Sequence, residues 1–336
     1  MMRYILYFCL PFFFMSCKAT HVNLEKVNGV SYVASKEGIA DKHVEPLLNL
    51  NANYAAIMPF GFVKGLNSSE VYYNSKKQWY GETLEGAKQY IEQLQQKQIK
   101  IMLKPQIWVW RGEFTGNIEM DSEADWKAFE TSYSKFILDY AQLAQDNNID
   151  IFCIGTELEM FINQRPEYWF SLINNIKAVY NGKLIYAANW DEFRRTPFWK
   201  ELDFIGIDAY FPVSISKTPS VEDCKQGWEK HKEIIKTVSK NNNRSVLFTE
   251  YGYRSVDFSG KEPWKSYKSM NQVNLEAQTN TTQALFEMFW DEPWFSGGFL
   301  WKWFPNMRGG EGYNERDYTP QGKSGQEVLE KWFLKK

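Results

Sequence analysis

The chain predicts an α/β fold, a single-domain (β/α)8 TIM barrel, on three observations. Strand-like and helix-like patterns alternate along its length and count to eight pairs. Two of the apolar runs, Ile151-Phe-Cys-Ile-Gly-Thr-Glu157 and Ser245-Val-Leu-Phe-Thr-Glu250, end on a lone glutamate. No linker rich in Pro, Gly or Ser divides the chain, and 336 residues suit one barrel with elaborated loops. In such a barrel all strand ends meet on one face, so the two carboxylates converge there. Two converging carboxyls are the minimum apparatus for hydrolysing a glycosidic bond.

The elements follow in order. A first strand at 30–34 leads to a helix at 44–50. The second strand, 54–58, precedes a helix at 83–96 with apolar or small residues at helical spacing. The third strand, 99–103, opens into a loop carrying Pro105, Trp108 and Trp110. A long amphipathic helix, 126–145, leads to the fourth strand, which ends at Glu157. A helix at 166–180 precedes the fifth strand at 183–188, and only a short helical link near Trp199 separates that from the sixth, 204–208. A helix at 221–238 precedes the seventh strand, ending at Glu250. A helix at 278–290, an eighth strand at 298–303 and a last helix at 326–334 close the series.

Residues 1–16 stand apart from this pattern. A basic start at Arg3 and an apolar run from Tyr4 to Met15, too short to span a bilayer, end at Ser16-Cys17. The segment resembles a bacterial lipoprotein signal, although Phe14 and Met15 are bulkier than that signal's usual residues. The resemblance implies that Cys17 is lipidated, that 17–28 is a linker and that 29–336 is the catalytic domain. It also implies export with a lipid anchor in a bacterial membrane, at the periplasmic face or the cell surface. A plain cleaved secretory signal is the alternative. Losing Arg3 moves the formal charge from −2 to −3.

That near-neutral balance, with no basic run interleaved with aromatics, argues against a nucleic-acid partner. Of the four cysteines, Cys9 falls in the signal and Cys17 is the candidate anchor. Cys153 in mid-strand and Cys224 on a helix read as buried free thiols. The three histidines, His21, His43 and His231, end no strand, which leaves a Ser-His-Asp triad or a His-ligated metal poorly supported. Gly309-Gly-Glu-Gly312 lacks the lysine and the strand–helix setting of a phosphate loop and reads as a loop over the site. No cofactor is implied, and a monomer is expected. Aromatics at 17%, with 14 Trp, are richer than usual, and sugar-binding proteins are among those that use such richness.

Side-chain alternation sharpens the candidates. Counting back from Glu157 places Gly155, Cys153 and Ile151 in the barrel interior; counting back from Glu250 places Phe248 and Val246 there. Lys104 and Gln106 share parity after the third strand and read as bonding sugar hydroxyls, or as solvated surface groups. Asn189 ends the fifth strand and is a similar candidate. Trp108, Trp110 and Trp190 read as stacking platforms or as loop packing, while Asp208 braces the site. Trp301 and Trp303 share one face of the eighth strand. Glu159 lies past the end of its strand and reads as structural.

These stretches carry a resemblance. Leu103-Lys-Pro105, Ile154-Gly-Thr-Glu-Leu158, Phe204-Ile-Gly-Ile-Asp-Ala-Tyr210, Phe248-Thr-Glu-Tyr-Gly252 and Tyr318-Thr-Pro-Gln-Gly-Lys323 resemble glycoside hydrolase family 113, the endo-β-1,4-mannanases of the clan A retaining enzymes. The likeness implies Glu157 as general acid/base, Glu250 as nucleophile, Tyr210 orienting that nucleophile and Trp301 beneath the reacting sugar. It implies a β-mannan or other β-linked glycan as substrate. Most of the clan has Asn before the acid/base where this chain has Thr156, whose hydroxyl can still bond a sugar 2-OH. A non-catalytic glycan-binding protein is the competing class, although a binder gains little from two adjacent carboxylates.

Overall fold

The computed structural model describes residues 25–265, 272–306 and 315–335. The expected signal, Cys17 and the Gly309–Gly312 loop lie outside them. Eight parallel strands close a barrel: β1 (Val27–Tyr32), β2 (Tyr54–Ile57), β4 (Lys100–Leu103), β6 (Ile151–Thr156), β7 (Lys183–Asn189), β8 (Phe204–Asp208), β9 (Ser245–Tyr251) and β10 (Phe295–Trp303). Helices α1 (Asp41–Asn49), α2 (Leu84–Gln96), α3 (Glu123–Asp146), α5 (Pro166–Val179), α6 (Val221–Asn242), α7 (Leu275–Phe289) and α8 (Ser324–Phe333) surround it. Their starts are fixed locally. Thr83, Ser122, Ser220 and Asn274 each accept a hydrogen bond from the backbone N–H three residues on, satisfying a donor that the helix leaves open.

Two elements were not foreseen. The loop after β4 forms a strand, β5 (Gln106–Val109), that pairs in parallel with β3 (Phe60–Val63) as a second small sheet above the barrel. A short helix, α4 (Glu159–Gln164), follows directly on Glu157.

The core has two layers. Val27, Ala56, Met102, Ile151, Cys153, Ile185, Ala187, Phe204, Leu247 and Phe299 fill the barrel interior. A larger layer between strands and helices holds Trp169, Trp199, Trp228 and Trp303, all fully buried. Much of the aromatic richness is therefore packing and not sugar recognition. Cys153 and Cys224 are buried free thiols, as expected.

Strict alternation fails where the chemistry lies. Ile151 and Cys153 do point inward, but between Cys153 and Thr156 β6 holds one residue more than β7. A Cβ on Gly155 would strike Trp169, Tyr133 and Tyr186 in the outer layer, so this position faces the helices and not the interior. In β9, Val246 and Phe248 belong to the outer layer, and Leu247 to the interior. An extra residue lies between Phe248 and Glu250 relative to β8, which returns Glu250 to the inside. Both are β-bulges, which re-aim the side chains that follow them. A register shift in β10 likewise separates Trp303 from Trp301: Trp303 lies in the outer layer beside Tyr32, while Trp301 is half-buried.

Candidate active site

The site is built on the ends of β4, β6, β8 and β9. Lys104 follows β4 and is fully buried beneath the opening, neither solvated nor presented to a sugar. Its ammonium donates to Glu250 Oε1 at 2.5 Å and to Asp208 Oδ1 at 3.2 Å. Glu250, itself buried, also accepts from Tyr210 Oη on Oε2 at 2.6 Å and from Gln106 Nε2 on Oε1 at 3.3 Å. Thr249 Oγ1 donates to Asp208 Oδ1 at 2.7 Å. Tyr210 is held in turn by the ring of Tyr318, with centroids 5.9 Å apart. Glu250 is thus held by three donors from two segments, the stretch after β4 and the end of β8.

Glu157 follows the bulge of β6 with φ of 51°, a left-handed conformation that non-glycine residues rarely adopt. Its N–H donates to Ala187 O at 2.8 Å, which carries the ladder one residue past the strand end. Burial, and then the negative charges of Asp208 and Glu250, push its carboxyl well above the usual carboxylate range, against the pull of Lys104. Asp208 is pushed up to about 7 by burial and by Glu250, opposed by Lys104 and Thr249. Burial works against a charged Lys104, but Asp208 and Glu250 outweigh it and raise its affinity for a proton. Three carboxyls and one ammonium share this space, and Lys104, Asp208 and Glu250 are buried. Keeping a proton on Glu157 lowers the net charge there.

The remaining candidates are spread around this centre. Gln106 and Trp108 lie on the same side of β5, opposite the buried Ile107 and Val109. Because Gln106 touches Glu250, that side looks along the opening. Trp108, 49% exposed, pairs in register with Phe62 of β3, and Phe60 pairs with Gln106. Trp110 is more exposed still, beyond the end of the strand. Trp190 stacks on Trp264 at 5.0 Å and 22° and meets Phe211 edge-on. Asn189 Oδ1 is engaged by the Trp190 N–H, so this oxygen serves the turn. Glu159 is ion-paired with Arg195 at the start of α4. The Thr156 hydroxyl lies beside the Cys153 thiol with its oxygen buried, and so is not presented to a sugar 2-OH.

Among the described residues no cluster of His, Cys, Asp and Glu could hold a metal ion. His43 Nδ1 accepts from Ala40 N–H at a helix start, and His231 Nε2 lies 3.0 Å from Pro212 O. No helix among the described residues is long and apolar enough to cross a membrane.

The sequence profile of Glycoside Hydrolase Family 113 matches residues 32–323. The chain belongs to glycoside hydrolase family 113. Solved structures with the same fold include the GH113 β-mannanase AaManA of Alicyclobacillus acidocaldarius, at 22% identity and TM-score 0.80, with 93% of this chain and 98% of that one covered. A second GH113 β-1,4-mannanase, solved as a complex, has 19% identity and TM-score 0.80 over 93% of this chain and all of its own. The β-glucuronidase of Faecalibacterium prausnitzii shares the barrel more distantly, at 13% identity and TM-score 0.62, over 92% of this chain and 49% of its own. A search of curated proteins gives no match. The family 113 chain is a glycoside hydrolase on a closed eight-stranded barrel.

Four features of this family 113 site were not read from the sequence. Parity leaves Lys104 open between a sugar ligand and a solvated surface group, whereas it lies buried against Glu250. Trp264 and Phe62 were not singled out. Glu192, buried and bonded to Tyr186, escaped notice although Asn189-Trp-Asp-Glu192 places an acid soon after a strand end.

Proposed function

We propose that the protein is a retaining hydrolase of β-1,4-mannosidic linkages in mannan or manno-oligosaccharides, with Glu250 as nucleophile and Glu157 as general acid/base. The observation that carries the reading is the contrast between the two carboxyls. Glu250 accepts from an ammonium, a phenol and an amide N–H, which hold its carboxyl oxygens in place. Glu157 faces burial and negative neighbours, which favour its protonated form. One ionised and one protonated carboxyl are what double displacement needs.

In the first step a lone pair on a Glu250 oxygen attacks the anomeric carbon. The bond to the leaving oxygen breaks, and that oxygen takes the Glu157 proton. With its proton gone, Glu157 is the base that removes one from water, and the hydroxide equivalent releases Glu250 from the sugar. Tyr210 and Lys104 fix the attacking carboxylate, so it does not have to reorganise during attack.

Mannan as substrate is supported by the described activity of the family 113 structures above, which are β-mannanases. The row formed by Gln106, Trp108 and Phe62 supports an extended chain along the opening. Two residues of strand advance about 7 Å, on the scale of one pyranose unit. Product analysis of residues 18–336 on linear β-1,4-mannan, with cellulose and xylan oligosaccharides alongside, tests this. Short manno-oligosaccharides that are absent with Glu157→Gln and Glu250→Ala support it. Activity confined to another glycan removes the mannan assignment and keeps the mechanism; no turnover of any glycan removes both.

We also infer a lipid anchor at Cys17, export to a bacterial membrane and a monomeric state. A palmitate analogue should label the wild type and not Cys17→Ala; label on both removes the anchor. Light scattering of residues 18–336 at the mass of a dimer removes the monomer.

A further inference from the structure

We propose that Tyr186 and Glu192 are positioning residues for Glu157, holding through the Leu158 amide the left-handed turn that directs the Glu157 carboxyl into the opening. The inference rests on the reading of Glu157 as acid/base. It starts from a backbone problem. Glu157 lies in a conformation that an L-residue leaves unless its surroundings hold it there. On its N-terminal side the hold is the ladder bond from Glu157 N–H to Ala187 O. On its C-terminal side the ladder has ended and α4 has not begun, so the buried Leu158 N–H has no partner in regular structure.

Tyr186 supplies that partner from β7. Its hydroxyl accepts from Leu158 N–H at 2.7 Å and donates to Glu192 Oε1 at 2.7 Å. Glu192 Oε2 accepts from Asn189 N–H at 3.0 Å, and Glu192 N–H returns a bond to Asn189 O at 2.9 Å. The tyrosine ring is fixed edge-on by Trp169 and Phe198, with centroids 5.8 and 5.6 Å away. The chain of bonds therefore runs from a rigid strand, through an oriented phenol, to the residue after Glu157.

Glu192 is buried with no cation bonded to it among the described residues, an expensive residue to retain for packing alone. The charged groups facing it are Glu157 just after β6, Asp208 on β8 and Glu159 on α4, the last paired with Arg195. Burial pushes its own carboxyl up to about 8, with Glu159 and Asp208 adding to that and the Asn189 and Tyr186 bonds opposing it. It is an acceptor that fixes which way the Tyr186 hydroxyl points, leaving the phenol lone pair for Leu158.

The test compares leaving groups. An aryl β-mannobioside with a dinitrophenyl leaving group departs without protonation, whereas a methyl or sugar leaving group needs the acid. If the turn slackens, kcat/KM in Tyr186→Phe falls about 10- to 100-fold for the poor leaving group and less than about 3-fold for the activated one. Glu192→Gln, which keeps volume, should show the same split at smaller size and serves if Tyr186→Phe folds poorly. Equal losses on both substrates, or none on either, overturn the positioning role. Glu157→Ala in the same assay separates the two readings. If it shows the split and Tyr186→Phe and Glu192→Gln do not, only this inference fails; if it shows none, the acid/base assignment of Glu157 fails first.

Discussion

Replacing Lys104 with Met keeps the length of the side chain and removes its charge. The ammonium lies 2.5 Å from Glu250 and 3.2 Å from Asp208. At an effective dielectric of ~20 these contacts are worth roughly 7 and roughly 5 kcal/mol before desolvation. Desolvation of the ions offsets most of that, and breaking one such buried set costs about 3–5 kcal/mol because the carboxylates are left uncompensated. A second route limits the damage: one carboxyl can take up a proton. For an ordinary carboxyl that costs about 4 kcal/mol at pH 7 but only about 1.4 kcal/mol at pH 5.

The loss of stability should therefore be about 3–4 kcal/mol at pH 7 and about 1–2 kcal/mol at pH 5. The sign follows from proton counting. The folded variant holds a proton that its unfolded chain has released, so its stability falls as pH rises. Asp208 and Glu157, both raised, give the wild type some of the same slope, so the difference between the proteins is the quantity to follow. Urea unfolding of both at pH 5, 6 and 7 measures it. A difference under about 1 kcal/mol at pH 7, or one that does not shrink toward pH 5, would refute charge compensation by Lys104. Activity on mannan at neutral pH should drop at least about 100-fold, since a protonated or displaced Glu250 cannot attack.

Tyr210→Phe removes a bond to a charged acceptor worth about 1.5–3 kcal/mol, so kcat/KM should fall about 10- to 150-fold with no change in fold by circular dichroism. Trp108→Ala should raise KM up to about 10-fold for long manno-oligosaccharides and leave mannobiose derivatives unaffected, because the half-exposed ring offers one face to a distant unit. Raised as it is, Glu157 stays protonated above the usual carboxylate range and loses its proton as pH climbs. The alkaline limb of kcat/KM should therefore lie above that range and vanish in Glu157→Gln. Gly155→Ala places a methyl 2.9 Å from both Trp169 and Tyr133, so thermal unfolding should show a loss of about 1–3 kcal/mol.

The barrel was legible because strand ends and helix starts are local. The run Phe204-Ile-Gly-Ile-Asp208 is a strand over the residues expected, and the helices expected from 83 and 221 begin at Leu84 and Val221, while the one expected from 126 begins at Glu123, behind Ser122. β1 begins three residues earlier than its apolar cluster suggests, since Val27 and Asn28 pair with Gly297 and Gly298 of a strand far along the chain. β3 and β5 are four residues each and pair with one another across 43 residues of chain or more, so neither stands out alone. The burial of Lys104 was hidden for a related reason. Its surroundings come from β8 and β9, more than a hundred residues away, and nothing beside Lys104 in sequence announces an acid.

The placing of the glutamates is the instructive failure. Alternation judged Glu157 to point inward for a reason that does not hold, because Gly155 faces out, and for Glu250 it assigned Phe248 and Val246 to the wrong layer. A regular β9 with Val246 and Phe248 under the helices would send Glu250 out among them, into an apolar layer with no cation. The extra residue in β9 is what turns Glu250 back over the interior. In β6 the extra residue sets Thr156 beside the inward Cys153, and the left-handed backbone at Glu157 re-aims the carboxyl that follows. In β9 the ladder resumes beyond the bulge, where Ala209 N–H donates to Glu250 O, whereas in β6 it ends with the Glu157 N–H, so something else must fix the backbone there. After β6 that is the Ala187 bond and the Tyr186–Glu192 pair; the Glu250 side chain is held by Lys104, Tyr210 and Gln106, and its neighbour Thr249 donates to Asp208. The same irregularity that defeats sequence alternation thus creates the need for the buried polar groups around it.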